Sequence, residues 1–206
     1  MRETEPSLPD GWRRIESVTE YETGWYTGGY DRLEQPDGTE KSYYWAALPP
    51  AVVVVARDES ELVMVEQYRP PIERLCLELP AGIVDVEDHP EAGEPVDTPG
   101  GLSPTADVPP AVYETAGRRE LREETGTDPN EIVFLEEVWI ATGLLTHRRG
   151  YVFATDLEPA DRDLDANEFI TVKRVSVDDA LTVARTDPTT DATLEGLLLA
   201  DQDGLL

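Results

Sequence analysis

The eight residues Arg119-Glu120-Leu121-Arg122-Glu123-Glu124-Thr125-Gly126 are the part of this chain best equipped to do chemistry. On a helix Glu120 and Glu124 stand one turn apart and Glu123 lies three residues from Glu120, so the carboxylates converge on one flank. Crowded carboxylates cost free energy unless cations neutralise them. Hard oxygen donors of this kind suit Mg²⁺ or Mn²⁺ better than zinc. In so acidic a chain the bland alternative is a solvated run of charge. Against it stand Arg119 at the front and a helix-ending Gly126, which set the glutamates in a fixed pattern. Cys76, with no histidine pattern beside it, reads as a small hydrophobe and not as a nucleophile.

A helix carrying these residues should start near Pro109-Pro110, where proline is tolerated in the first turn, and stop at Gly126. Around it the pattern alternates between strand and turn. Residues 12–48 read as twisted strands punctuated by Pro36-Asp37-Gly38. Residues 51–56 and 62–67 read as two apolar strands of a hairpin, and residues 132–140, 151–155 and 169–175 as further strands. Ser176 is placed to cap a helix, with Asp179 in a box-like position, and a last apolar helix covers about 192–200. Residues 86–110 are rich in Pro, Gly, Asp and Glu without periodicity, which predicts a mobile insertion dispensable for folding. The expected fold is α/β (α+β): a mixed sheet flanked by helices. A small β lobe over residues 1–48 precedes a main domain over 49–206.

The acidic helix resembles the Nudix box, whose core reads Arg-Glu-aliphatic-x-Glu-Glu-x-Gly-aliphatic; Thr127 stands where an aliphatic residue is usual. The leading glycine of the box would be Gly82 in Leu79-Pro80-Ala81-Gly82. The box is normally continuous from there, but here about two dozen residues are inserted. For the early acid of the box Glu94 fits the local pattern and Asp88 fits the spacing. Gln67-Tyr68-Arg69-Pro70-Pro71, Glu78-Leu79-Pro80-Ala81-Gly82, the start around Pro36-Asp37-Gly38 and the close Asn167-Glu168-Phe169-Ile170-Thr171-Val172 are similar to dimeric ADP-ribose pyrophosphatases.

That resemblance implies metal ligation by Glu120, Glu124 and the backbone carbonyl of Ala81, with about two or three Mg²⁺ or Mn²⁺ ions. It gives catalytic positions to Glu168, Glu123 and Arg119. It makes Arg69 a bidentate substrate contact and Glu78 either a contact to adenine or the residue that orients Arg69. Trp25 and Trp45 match aromatics that sandwich adenine where the N-terminal lobe is exchanged between subunits, so a homodimer is implied. The rival for Glu168 as general base is His147, on the loop 142–148 that holds no carboxylate. The implied reaction is hydrolysis of ADP-ribose to AMP and ribose 5-phosphate. A nucleotide-sugar substrate and a non-catalytic nucleotide sensor are the alternatives. The three glutamates and the absence of an appended DNA-binding helix pair weigh against the sensor.

Composition narrows the class further. The sequence holds 44 acidic residues against 17 Lys and Arg, a net charge of −27. Such a surface repels nucleic acid and anionic membranes, so the expected partner is a small molecule. Periodic blocks of Val, Leu, Trp and Tyr argue against disorder. The dense Asp and Glu with only Lys41 and Lys173 suit molar salt, where screening relaxes self-repulsion. A lone cysteine and the lack of a basic-then-apolar start point to the cytoplasm. The longest apolar runs are too short to span a bilayer.

Overall fold

The computed structural model describes residues 8–89, 101–164 and 168–206. Three antiparallel strands, β1 (Arg13–Glu22), β2 (Thr27–Glu34) and β3 (Glu40–Ala47), form the N-terminal lobe. The turn between β2 and β3 falls at Pro36-Asp37-Gly38. Gly38 takes φ +80°, a conformation only glycine adopts cheaply, and donates to the Gln35 carbonyl at 2.9 Å. The fourth strand of this sheet comes from far along the chain. It is β9 (Leu145–Thr146), parallel to β3.

The main sheet is built on β4 (Ala51–Asp58), which lies antiparallel to β5 (Glu61–Arg69) and parallel to β10 (Arg148–Pro159). With β8 (Thr127–Trp139) and β11 (Ile170–Ser176) the order is β11-β5-β4-β10-β8. Strand β6 (Arg74–Glu78) pairs with β5, and β7 (Ala81–Ile83) pairs with β4. Because β4 is covered on both faces, its apolar residues run without alternation. Val52, Val54 and Ala56 face Tyr113, Ala116 and Leu121 of α1 (Pro110–Thr125). Val53 and Val55 face the opposite layer, with Ala180 of α2 (Val177–Ala184) and Leu197 of α3 (Asp191–Gln202). The expected mixed sheet between helices, with its β lobe, is the fold observed. No described helix is long and apolar enough to cross a membrane.

Several local expectations change. Strand β8 begins at Thr127, not near Ile132, and passes through Pro129. It is the edge strand of the sheet, where a residue lacking an N–H costs no ladder bond. The short strands β6 and β7 lie in a stretch read as polar and Pro-containing. They exist because β5 and β4 offer them free edges, a long-range condition. Ser176 makes no side-chain capping bond. It is still paired within β11, opposite Glu61, and the first helical N–H, from Val177, is taken by the Ser60 carbonyl at 2.9 Å.

The inserted segment departs furthest from expectation. Its entry forms a single 3₁₀ turn, Val86–Asp88, closed by a reciprocal capping box between Asp85 and Asp88. On the return, Leu102 and Val108 are buried in the core beneath α1, and Leu102 N–H bonds the Val84 carbonyl at 3.1 Å. Arg148, itself buried, donates to the Ala106 carbonyl. The expectation that the whole segment is dispensable is therefore corrected: scattered apolar residues without periodicity can still be anchors when a core gap receives them. Replacing residues 87–107 with a short Gly/Ser linker is expected to lower the melting temperature by more than ~5 °C, from the loss of buried Leu102 and of the Asp88 bonds. Calorimetry that finds the parent melting temperature would show these anchors to be idle.

Candidate active site

Helix α1 buries Val112, Tyr113, Ala116 and Leu121, and this packing turns the flank bearing Glu120 and Glu124 towards β7. The approach is close. A Cβ on Gly82 would sit 2.1 Å from the Glu120 carboxyl carbon, so any side chain there would push this carboxylate aside. One residue earlier, Ala81 N–H donates to Glu124 Oε2 at 3.1 Å. The helix ends as expected, with Gly126 at φ +69° and its N–H on the Arg122 carbonyl.

Arg119 ties the cluster together. Its Nε and Nη2 grip Asp88 Oδ1 and Oδ2 at 3.0 and 2.8 Å, and Nη2 also reaches the Ile83 carbonyl at 2.9 Å. Its Nη1 bridges Glu120 Oε1 at 2.8 Å and Glu123 Oε2 at 2.9 Å. Burial disfavours the guanidinium charge, but the Asp88 bond and the neighbouring carboxylates outweigh it and raise the pKa above the usual arginine value. Of the two candidates for the early acid, Asp88 is the one among the described residues, and it is paired with Arg119. Glu94 lies outside the described residues.

Opposite the helix, β5 presents Gln67 and Arg69 on one face, two residues apart. Arg69 donates to Glu78 Oε2 through Nε at 2.8 Å and Nη2 at 2.7 Å, and Gln67 Nε2 reaches the same oxygen at 3.2 Å. Of the two roles open to Glu78, orienting Arg69 is the one its contacts display. Strand β11 pairs Ile170 with Gln67, so the antiparallel register continued outward by two residues sets Glu168 at the level of Arg69.

The electrostatics agree with this convergence. Burial raises the Glu120 pKa to about 7; Arg119 counteracts, while Glu123 and Glu168 push it up. Burial likewise raises Glu124 to about 8, helped by Glu120 and Glu168 and opposed by the Ala81 N–H and Arg69. Two buried carboxylates held so far above the usual range are short of positive charge, and their donors are hard oxygens. The residues present therefore fit Mg²⁺ or Mn²⁺. As the side chains stand, no three acidic, His or Cys groups among the described residues enclose an ion. Glu120 leans on Arg119 and Glu124 on Ala81, so ligation requires these carboxylates to rotate.

Residues 110–195 match the model of the family described as NUDIX domain. That match marks a Nudix domain over these residues. The match begins at the first residue of α1, just after the inserted segment. The chain is 28% identical to an ADP-ribose pyrophosphatase of Bacillus subtilis (strain 168) over 163 residues, 78% of this chain and 76% of that one. It is 27% identical to a methanol dehydrogenase activator of Bacillus methanolicus over 154 residues, 73% of this chain and 71% of that one. A crystal structure described as an ADP compounds hydrolase superposes with a TM-score of 0.70 at 23% identity, over 98% of this chain and 100% of that one, which shows the shared fold.

The structure brings Arg69, Glu78, Ala81, Arg119, Glu120, Glu123, Glu124 and Glu168 to one end of the main sheet. It does not bring Trp25 and Trp45 there. Trp25 lies in the turn between β1 and β2, 66% exposed. Trp45 is half-buried on β3, its indole N–H on Asp31 Oδ1 at 3.3 Å, beside Ser103 and Thr105 of the insertion. His147 is buried, with Nδ1 bonded to the Pro49 carbonyl at 2.9 Å. Burial lowers its pKa, and the adjacent charge that assists is Arg149, not the Arg148 beside it in sequence. Gln67 escaped attention as a site residue, although its two-residue spacing from Arg69 was the available signal.

Proposed function

We propose that this chain is a Nudix hydrolase, an ADP-ribose pyrophosphatase that uses Mg²⁺ or Mn²⁺ to split ADP-ribose and water into AMP and ribose 5-phosphate. The observation that carries the reading is the buried cluster of Glu120 and Glu124 against Ala81-Gly82, with Glu168 and Arg69 facing it. Similarity to the Bacillus subtilis pyrophosphatase supports the substrate.

In this reading Glu120, Glu124 and the Ala81 carbonyl hold the divalent cation. Bound there, the ion supplies Lewis-acid polarisation of a phosphoryl oxygen and makes water a better nucleophile. Arg119, anchored on Asp88, keeps Glu120 and Glu123 in place. Arg69, braced by Glu78, directs its remaining N–H groups to oxygens of the diphosphate or ribose. Glu168 takes the proton from the attacking water. The new P–O bond forms as the bridging P–O bond breaks, and the leaving phosphate departs in line.

Residues 1–48 act as a dimerisation and substrate lobe ahead of the Nudix domain at 49–206. The exposed Trp25 and the half-buried Trp45 stack on adenine across a homodimer. One experiment tests both parts: a panel of ADP-ribose and nucleotide sugars with Mg²⁺ or Mn²⁺ in high salt, with light scattering on the same samples. Release of AMP and ribose 5-phosphate from ADP-ribose at the highest kcat/KM, by a dimer, is expected. Preference for a nucleotide sugar would overturn the substrate, tight binding without turnover the catalysis, and a fully active monomer the shared adenine site.

A further inference from the structure

After β10 the chain turns back across the C-terminal end of α1. Helix ends leave backbone carbonyls without intrahelical partners. Here Ala160 N–H donates to the Gly126 carbonyl at 2.8 Å and Asp163 N–H to the Glu123 carbonyl at 3.3 Å. Between them Arg162 Nε donates to the Glu124 carbonyl at 2.6 Å, and its Nη2 donates to the Ile170 carbonyl at 2.8 Å. The arginine stem lies over Gly126, where an added Cβ would be 3.4 Å from Arg162 Cβ.

One guanidinium therefore joins two pieces of backbone that belong to different parts of the site. Glu124 is the acid whose carboxylate reaches Ala81 N–H, and Ile170 stands two residues beyond Glu168. Both bonds come from one rigid plane, so the separation of the two carbonyls is set by the guanidinium itself. The positive charge also sits at the negative end of the helix. A candidate general base must stay within hydrogen-bond reach of its proton, and a misplacement of about 1 Å can cost on the order of 10²-fold.

We propose that Arg162 is a positioning residue: by bridging the Glu124 and Ile170 carbonyls it holds Glu168 at the distance from the acid cluster that turnover requires. This rests on Glu168 acting as the base. Lysine at this position keeps the charge at the helix end but offers a single flexible nitrogen, so it separates the bridge from the cap.

The test compares Arg162→Lys and Arg162→Met in the full chain, each with and without Glu168→Gln. Arg162→Lys is expected to melt within ~3 °C of the parent, as exposed substitutions do. Its kcat should fall about 10-fold with KM within about 2-fold, and Arg162→Met should fall further. In the Glu168→Gln background Arg162→Lys should not lower kcat again, because the residue it positions is already gone, whereas the further loss in Arg162→Met, which comes from the helix-end charge, should remain. Parental kcat in Arg162→Lys, or equal losses in both backgrounds, would overturn the proposal. Hydrogen exchange of backbone segments 122–126 and 168–172, read without substrate or metal, decides the matter independently of activity. Faster exchange at both in Arg162→Lys supports the bridge, and unchanged exchange overturns it. If the parent itself fails to hydrolyse ADP-ribose, the substrate reading falls and the exchange result alone settles the bridge.

Discussion

Exchange of Glu120 or Glu124 for glutamine is expected to lower turnover of the proposed substrate at least ~10²-fold while the protein stays folded. Each substitution removes a negative charge from the proposed ion site, and the amide keeps nearly the same shape. The contacts that position these side chains survive. A glutamine oxygen at 120 still accepts from Arg119 Nη1, and one at 124 still accepts from Ala81 N–H. Stability should respond in the opposite direction to activity. The folded protein holds the two carboxyls at about 7 and about 8, above their ordinary 4.5, so it binds more protons than the unfolded chain. Their contribution is then full below about pH 4.5 and is lost as pH rises through 7 to 8 in metal-free buffer. Glutamine cannot ionise, so Glu124→Gln is expected to melt above the parent at pH 8 without metal and level with it at pH 4.5. Saturating Mg²⁺ or Mn²⁺ should raise the parent's melting temperature more than the variant's. Near-parental turnover in either variant at saturating metal defeats the ligand assignment.

Glu168→Gln should reduce turnover ~10²–10⁴-fold with little change in substrate affinity, the range expected for loss of a general base. Glu168 raises the pKa of both Glu120 and Glu124, which requires it to stand close to them. Its place in the chain is two residues before the start of β11, at the strand's entry. His147 is a poor competitor on this geometry. Its ring is buried, Nδ1 is committed to the Pro49 carbonyl, and its neighbours are Arg149 and Asp191, not the acid cluster. His147→Ala is thus expected to cost less turnover than Glu168→Gln, and what it costs should follow the melting temperature. Measured kcat values in the reverse order would move the base to the earlier loop.

The features legible in the sequence are those that depend on neighbours along the chain. The strand run at 51–56, the turn at Pro36-Asp37-Gly38 and the helix closed by Gly126 all follow from periodicity or from a backbone conformation that few residues tolerate. The convergence of Glu120, Glu123 and Glu124 is likewise a property of helix geometry, and resemblance to dimeric ADP-ribose pyrophosphatases brought in Ala81 and Glu168.

What the tertiary structure decided are contacts between segments that no local pattern connects. Asp88 meets Arg119 because a 3₁₀ turn places both its oxygens on one guanidinium. Leu102 and Val108 became core residues because space under α1 receives them, although nothing periodic announces them. The edges of β4 and β5 created β6 and β7, and a loop more than ninety residues downstream completed the N-terminal sheet with β9. Arg162 carries no local signal of a role; its two carbonyl partners, 38 and 8 residues away, meet it only in the fold. Residue types and their spacing are enough to determine which chemistry this chain holds, because short-range geometry sets how carboxylates meet on a helix. The partners of those carboxylates depend on how distant segments pack, and that is settled by burial and hydrogen-bond satisfaction across the whole fold.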